Sequence, residues 1–273
     1  MTYVKAELLS NEFKFHQSIT NFRASVRQVL KENFSLTAGS SVEQTSIWFE
    51  LFKENRDVKN DYRTWLPFAN INRTWKDKLN LTIAYRRSIR RPGINELNPT
   101  IDFGDPYNVR FGNEKLEAST AHNFDFVLGR TKQLSYINLG LGYNIVENIF
   151  SQVRALLADG KTQITWENIS GRREYEISTW GGITINKKLK VNLSASYTYN
   201  VYSDFDKIVN RYRNGGSFTS NMNSTYTPND VLNFTGSFTF SRFANPQGFA
   251  RWNWSMNMGI QRKFFDKKLI VTF

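Results

Sequence analysis

The chain contains no cysteine. That excludes disulfides, thiolate nucleophiles and cysteine-ligated metals. Its two histidines, His16 and His122, lie far apart and show neither metal-ligand spacing nor a Ser/Asp partner arrangement. Gly-rich phosphate loops are absent. No catalytic residue, metal ligand or cofactor is therefore expected, and no enzymatic activity. Long apolar runs are missing too: none approaches the roughly 18 residues of a membrane-crossing helix. Residues 1–12 hold no apolar core of signal-peptide length.

What is present is basic and aromatic. Lys and Arg number 36 against 24 Asp and Glu, for a net charge of +12. Such a balance suits nucleic acid, anionic lipid or an anionic solute. Aromatics make up 15% of the chain, with 22 Phe, 12 Tyr and 7 Trp. The mean hydropathy of −0.50 does not exclude a membrane protein. In a barrel wall every second residue faces a wet lumen, so the average stays low.

The stretch 189–202, LKVNLSASYTYNVY, sets the pattern. Leu189, Val191, Leu193, Ala195, Tyr197, Tyr199 and Val201 share one face; Lys190, Asn192, Ser194, Ser196, Thr198 and Asn200 share the other. Strict period-2 alternation means a strand with one apolar face. Globular strands average about 5–6 residues, whereas a tilted strand crossing a bilayer needs about 9–11. Tyrosines end the apolar face, as at a lipid–water boundary.

The pattern recurs along the chain. Phe13–Leu30, Phe34–Val42, Leu79–Arg86, Phe124–Leu128, Ile137–Ile145, Tyr175–Ile185, Leu232–Phe240, Trp252–Ile260 and Leu269–Phe273 all read as strands, as do Leu66–Trp75, where the pattern is weaker, and Phe218–Tyr226, which is polar on both faces. Short turns near 32, 77, 132, 187, 229 and 266 alternate with long connections near 55, 103, 160, 208 and 246. Residues 48–63 are charged and read as loop, as do 88–118 and about 149–171, the last with a small hairpin at Asp159-Gly160. The expectation is an all-β, antiparallel up-and-down transmembrane barrel domain over 1–273, with about twelve strands, short turns periplasmic and long loops extracellular. A β-sandwich should instead have shorter strands and more Lys and Glu toward bulk water.

Residues 85–129 carry Arg90-Arg91-Pro92, Leu97-Asn98-Pro99, Asp105-Pro106-Tyr107-Asn108, Gly112-Asn113 and Leu116, followed by a strand ending at Gly129. This stretch resembles the outer-membrane β-barrel family allied to TonB-dependent receptors, in its Bacteroidetes-like form. Glu114, Glu117 and Ala118 depart from the family's usual prolines. The resemblance implies a 22-stranded barrel with an N-terminal plug, driven by the TonB machinery. This chain carries neither plug nor energy-coupling box, so the expectation is a C-terminal barrel portion of a longer protein, in the outer membrane of a Gram-negative cell. Implied partners are the plug, the remaining strands, lipopolysaccharide, TonB and a surface lipoprotein lid.

Arg86, Arg87, Arg90 and Arg91 form the densest basic cluster. Guanidinium binds phosphate in a bidentate way, so a contact with lipopolysaccharide or an anionic ligand is one reading. The simpler reading is a solvated loop base, or pairing with Glu96, Asp102 or Asp105. Arg23, Arg27 and Arg86 are alternatively lumen residues. Trp75, Trp180, Tyr197, Tyr199, Trp252 and Trp254 read as interfacial anchors. Tyr107, Trp166 and Phe103 are the loop aromatics suited to a ligand. The charge is scattered through turns and loops rather than drawn into a stripe, which argues against nucleic acid. The functional expectation is a transport barrel for a solute the residues do not identify. A non-transporting scaffold and a soluble basic β protein are the alternatives.

Overall fold

The computed structural model describes residues 13–31, 33–52, 55–76, 78–101, 105, 107–202, 214–245, 248–265 and 268–273. In chain order the first strands are β1 (Phe13–Lys31), β2 (Phe34–Leu51), β3 (Arg56–Thr74) and β4 (Leu79–Arg90). A one-turn helix α1 (Ile94–Leu97) and a short strand β5 (Asn108–Arg110) lie in the connection to β6 (Ser119–Lys132). Then come β7 (Ser135–Leu156), β8 (Thr162–Ile185), β9 (Leu189–Tyr202), β10 (Gly215–Asn229) and β11 (Leu232–Arg242). A small hairpin of β12 (Ala244–Asn245) and β13 (Gly248–Phe249) precedes β14 (Asn253–Phe264) and β15 (Leu269–Thr272).

Twelve of these strands pair in the order β1-β2-β3-β4-β6-β7-β8-β9-β10-β11-β14-β15, every pair antiparallel. This is the expected up-and-down wall, with β1 and β15 at its two ends. The expected strand at 189–202 is β9, with the same bounds. It leaves β8 through a tight turn in which Asn186 and Lys187 have φ of 50° and 56°. Positive φ at both central residues makes a turn whose twist matches that of the flanking strands.

Register explains the alternation. Leu141, Ile177, Leu193, Met222, Phe238 and Met256 lie on one face, and all are exposed. No second layer covers them among the described residues. Large apolar side chains left bare over a whole face need lipid as their solvent. From Leu189 to Tyr199, ten steps at ~3.3 Å cover about 33 Å of strand, or about 25 Å of bilayer depth at ~40° tilt. That matches the hydrocarbon core. The wall curves with its polar face concave, because Ile47 and Phe49 on β2 share one buried cluster with Phe150 on β7. Three strands separate β2 from β7 in the sheet.

Two expected loops are strand instead. Residues 48–63 continue β2 and open β3, joined at 52–55, and 149–171 is mostly β7 and β8. Beyond the bilayer a strand has no lipid face, so it pairs its backbone without alternating in polarity. The small hairpin at 157–161 is present, closed by Leu157 N–H to Lys161 O (2.8 Å) and Gly160 N–H to Leu157 O (3.0 Å). Phe103, residues 203–213 and the Asp266-Lys267 turn lie outside the described residues.

Candidate functional site

The described residues of the connection 91–118 turn inward and strap the concave face at the long-loop end. Its apolar side chains are the reason. Leu97 and Leu116 are 1% and 0% exposed, packed with Ile47, Phe49 and Phe150 and flanked by Phe15, Tyr62 and Trp166. The strap is tight enough to need glycine at 112, where a Cβ would meet Asn98 N, Asn98 O and Glu96 O at 2.6 Å each. Gly112 N–H reaches Asn98 O at 2.6 Å and Asn113 N–H reaches Glu96 O at 2.7 Å.

Polar contacts tie the strap to four strands. Arg56 on β3 holds Glu114 in a two-pronged pair at 2.6 and 2.7 Å. Asn113 donates to Trp166 O on β8 at 2.9 Å. Asn168 Nδ2 donates to Glu117 O (3.1 Å) and its Oδ1 accepts from Glu117 N–H (2.9 Å). Asn148 on β7 donates to the Glu117 carboxylate at 2.8 Å. Arg91 pairs with Glu43 on β2 and donates to Thr45 there at 3.1 Å. β5 then joins β8 in parallel over Thr162–Ile164. Burial lowers the affinity of the Arg91 guanidinium for its proton. Asp105 is held below the usual carboxylate range, chiefly by the Asn108 side chain and then the Tyr107 N–H.

Of the four-arginine cluster, Arg86, Arg87 and Arg91 border one cavity and Arg90 does not. Arg86 lies on the concave face, in the row of Asn123, Asn144 and Glu174. Arg87 lies on the apolar face and donates to Trp65 O at 3.3 Å. Arg90 stacks on Phe150 (4.5 Å to the ring centroid) and pairs with Glu96 at 3.5 Å. Arg90 and Arg91 thus hold the strap, as the simpler reading had it for Glu96. Asp105 pairs with Arg110 instead, at 3.8 Å. Arg23 and Arg27 are on the concave face, Arg23 over Phe68 at 4.2 Å.

Two grooves open on the concave side. A cavity of about 570 Å³ is lined there by Arg23, Glu43, Phe68, Arg86, Arg91 and Asp125. At the rim, about 430 Å³ is lined by Arg56, Ile101, Phe111, Glu114, Trp166 and Glu167. Trp166 therefore faces a groove, whereas Tyr107 is 78% exposed and lines neither. Charge of both signs beside aromatic faces can bind a polar solute without covalent chemistry.

Tyr197, Tyr199 and Trp254 occupy the apolar face, and Trp252 stacks on Phe240 with centroids 4.7 Å apart. Trp180 departs from the expected anchor role. It shares the polar face with Glu174, Glu176 and Ser178 and lies against Gly140, because its even position puts it opposite Asn138. A row of which only Tyr199 is among the expected anchors runs Tyr85, Phe124, Tyr143, Tyr175, Tyr199 across β4 to β9, with ring centroids 5.0 to 6.2 Å apart over its first four members. Each ring was visible as an alternate apolar residue; only strand register aligns them.

A family model described as "Outer membrane protein beta-barrel family" matches residues 1–273. No curated protein sequence matches the chain. Among solved structures, the siderophore receptor PirA from Pseudomonas aeruginosa aligns over 92% of this chain and 52% of its own, at 13% identity and TM-score 0.62. The copper transporter OprC aligns over 91% and 40%, at 11% identity and TM-score 0.68. The FrpB iron transporter from Neisseria meningitidis aligns over 94% and 40%, at 9% identity and TM-score 0.62. At such identities the likeness is one of fold. The chain spans about half or less of the length of these structures.

Proposed function

Because the chain belongs to the outer membrane protein beta-barrel family, we propose that it forms the wall of a TonB-dependent-receptor-like transport barrel. The observation that carries this reading is the concave polar face, lined by Arg23, Arg86 and Asp125 and backed by a face of exposed apolar side chains. The likeness to three receptors or transporters supports it. In the whole protein, further strands would close the wall and a plug would fill it. TonB would supply energy, and a surface lipoprotein would meet the long-loop end. Solute would meet the rim groove at Trp166 and Arg56 before the inner groove. No covalent step is proposed. Arg87 and Arg173 lie one row beyond Tyr85 and Tyr175 on the apolar face, and in this reading their guanidinium groups would meet lipopolysaccharide phosphates.

The test is conductance of the full-length protein in planar bilayers, with and without its plug. Removing the plug should open a large steady conductance. A non-transporting scaffold is the second reading, favoured by the strap that narrows the mouth; it should conduct in neither form.

A further inference from the structure

The charge is not spread evenly over the wall. Within three residues of the six short turns the sequence holds thirteen Lys and Arg against four Asp and Glu, leaving twenty-three against twenty elsewhere. The short-turn end therefore carries most of the net charge. The turns also form a connected rim. Thr74 N–H bonds Asn33 O (2.9 Å), Thr131 N–H bonds Lys78 O (3.0 Å) and Thr184 N–H bonds Leu134 O (2.8 Å). Thr227 N–H bonds Lys188 O and Lys263 N–H bonds Val231 O, both at 2.8 Å. Each turn is pinned to the next, so the cations stand on a fixed frame.

Two grooves lie between successive turns. One, of about 640 Å³, is lined by Lys31, Phe34, Arg73, Trp75 and Lys76. Its neighbour, of about 550 Å³, is lined by Lys76, Lys78, Lys132 and Leu134. Such volumes admit a headgroup rather than a bare ion. Lys76 borders both. Arg73 and Phe34 face each other in register on the side that carries Leu36 and Ile71, the lipid side. Arg73 covers the Trp75 ring at 4.7 Å, and Arg262 repeats the arrangement over Phe264 at 4.9 Å. Lys31, Arg73, Lys76, Lys78 and Lys132 pair with no carboxylate among the described residues.

We propose that the short-turn rim is a binding site for anionic phospholipid headgroups of the inner leaflet, with the paired grooves around Lys76 taking a lipid that carries two phosphates. Cations at the bilayer boundary attract anionic headgroups, and aromatic rings beside them hold the level of the glycerol region. A groove shared through one lysine favours two linked phosphates over one. The site depends on the wall's position in the outer membrane and not on whether the barrel transports.

The test uses the full protein reconstituted in phosphatidylcholine bilayers. Brominated cardiolipin, phosphatidylglycerol or phosphatidylcholine is added in increasing mole fraction, and quenching of Trp75 is isolated by difference from Trp75→Phe. Cardiolipin should quench at the lowest fraction, then phosphatidylglycerol, then phosphatidylcholine. Arg73→Gln with Lys76→Gln should weaken cardiolipin binding by roughly fivefold per charge removed. Arg73→Lys with Lys76→Arg should keep most of it, and Lys187→Gln with Lys188→Gln should leave the Trp75 signal unchanged. Heat-modifiable gel mobility checks that each variant is folded; the lipid ranking on the unmodified protein decides the matter even if the Gln pair fails to fold. Equal quenching by phosphatidylcholine, or an unchanged ranking in a folded Gln pair, would overturn the proposal. So would displacement of the brominated lipid by inorganic phosphate, which marks a free-anion site, or by a Glu-rich peptide, which marks a protein-docking surface.

Discussion

The two ends of the wall use the same cations in opposite ways. At the long-loop end Arg56, Arg90, Arg91, Arg110 and Arg172 each meet a carboxylate, at Glu114, Glu96, Glu43, Asp105 and Glu174. That end also buries Leu97, Leu116, Phe49 and Phe150 together. At the short-turn end Lys31, Arg73, Lys76, Lys78 and Lys132 line open grooves and pair with no described carboxylate. Charge satisfied inside the chain fixes a strap. Charge left unsatisfied is available to the surroundings. Because the turn rim is already held by backbone hydrogen bonds, its side chains are not needed to fold it.

That contrast can be broken most sharply at the strap. Leu116→Ala removes a fully buried side chain from a cluster joining β2 and β7, and should cost roughly 2–5 kcal/mol. Denaturant titration by gel mobility should show it, and amide exchange should rise over 108–118. An unchanged titration would mean that the strap is not a core. The lipid face comes next. Leu193→Arg should cost about 2–4 kcal/mol in bilayers, as for an arginine near the midplane, whereas Ser194→Arg on the concave face should cost much less. Equal costs would contradict the facing assigned here. Glu43→Gln takes the partner from Arg91, whose side chain is 19% exposed, and should cost about 3 kcal/mol. By contrast Lys187→Gln with Lys188→Gln should shift stability by less than about 0.5 kcal/mol.

The smallest effect is a pH effect at Asp105. Its folded pKa is lowered, so its contribution is present above the unfolded carboxylate value and fades as pH falls through the folded one. Amide exchange at Asn108 and Thr162 should rise only in acid, and Asp105→Asn should remove that dependence.

How much was legible beforehand depends on the medium around each strand. Where lipid touches one face and water the other, as from Leu189 to Val201, polarity alternates and strand bounds follow. At 48–63 and 149–171 both faces leave the bilayer, so the same extended backbone carries a pattern that reads as loop. Trp180 shows the other limit. A tryptophan near a strand end fits an anchor by type, yet its even position, opposite Asn138 and beside Gly140, turns it inward. The scattered lysines likewise gain meaning only from pairing, which stacks six turns far apart in sequence along one edge.

The sequence by itself determined the class of fold, about twelve lipid-crossing strands and the inventory of turns. Those depend on period-2 polarity and turn chemistry, which are local. Only the tertiary structure decided which arginines share a groove, that 91–118 is a strap with its own core, and that cations gather at one rim. Those outcomes depend on register and curvature, which bring residues together across strands that no local pattern relates.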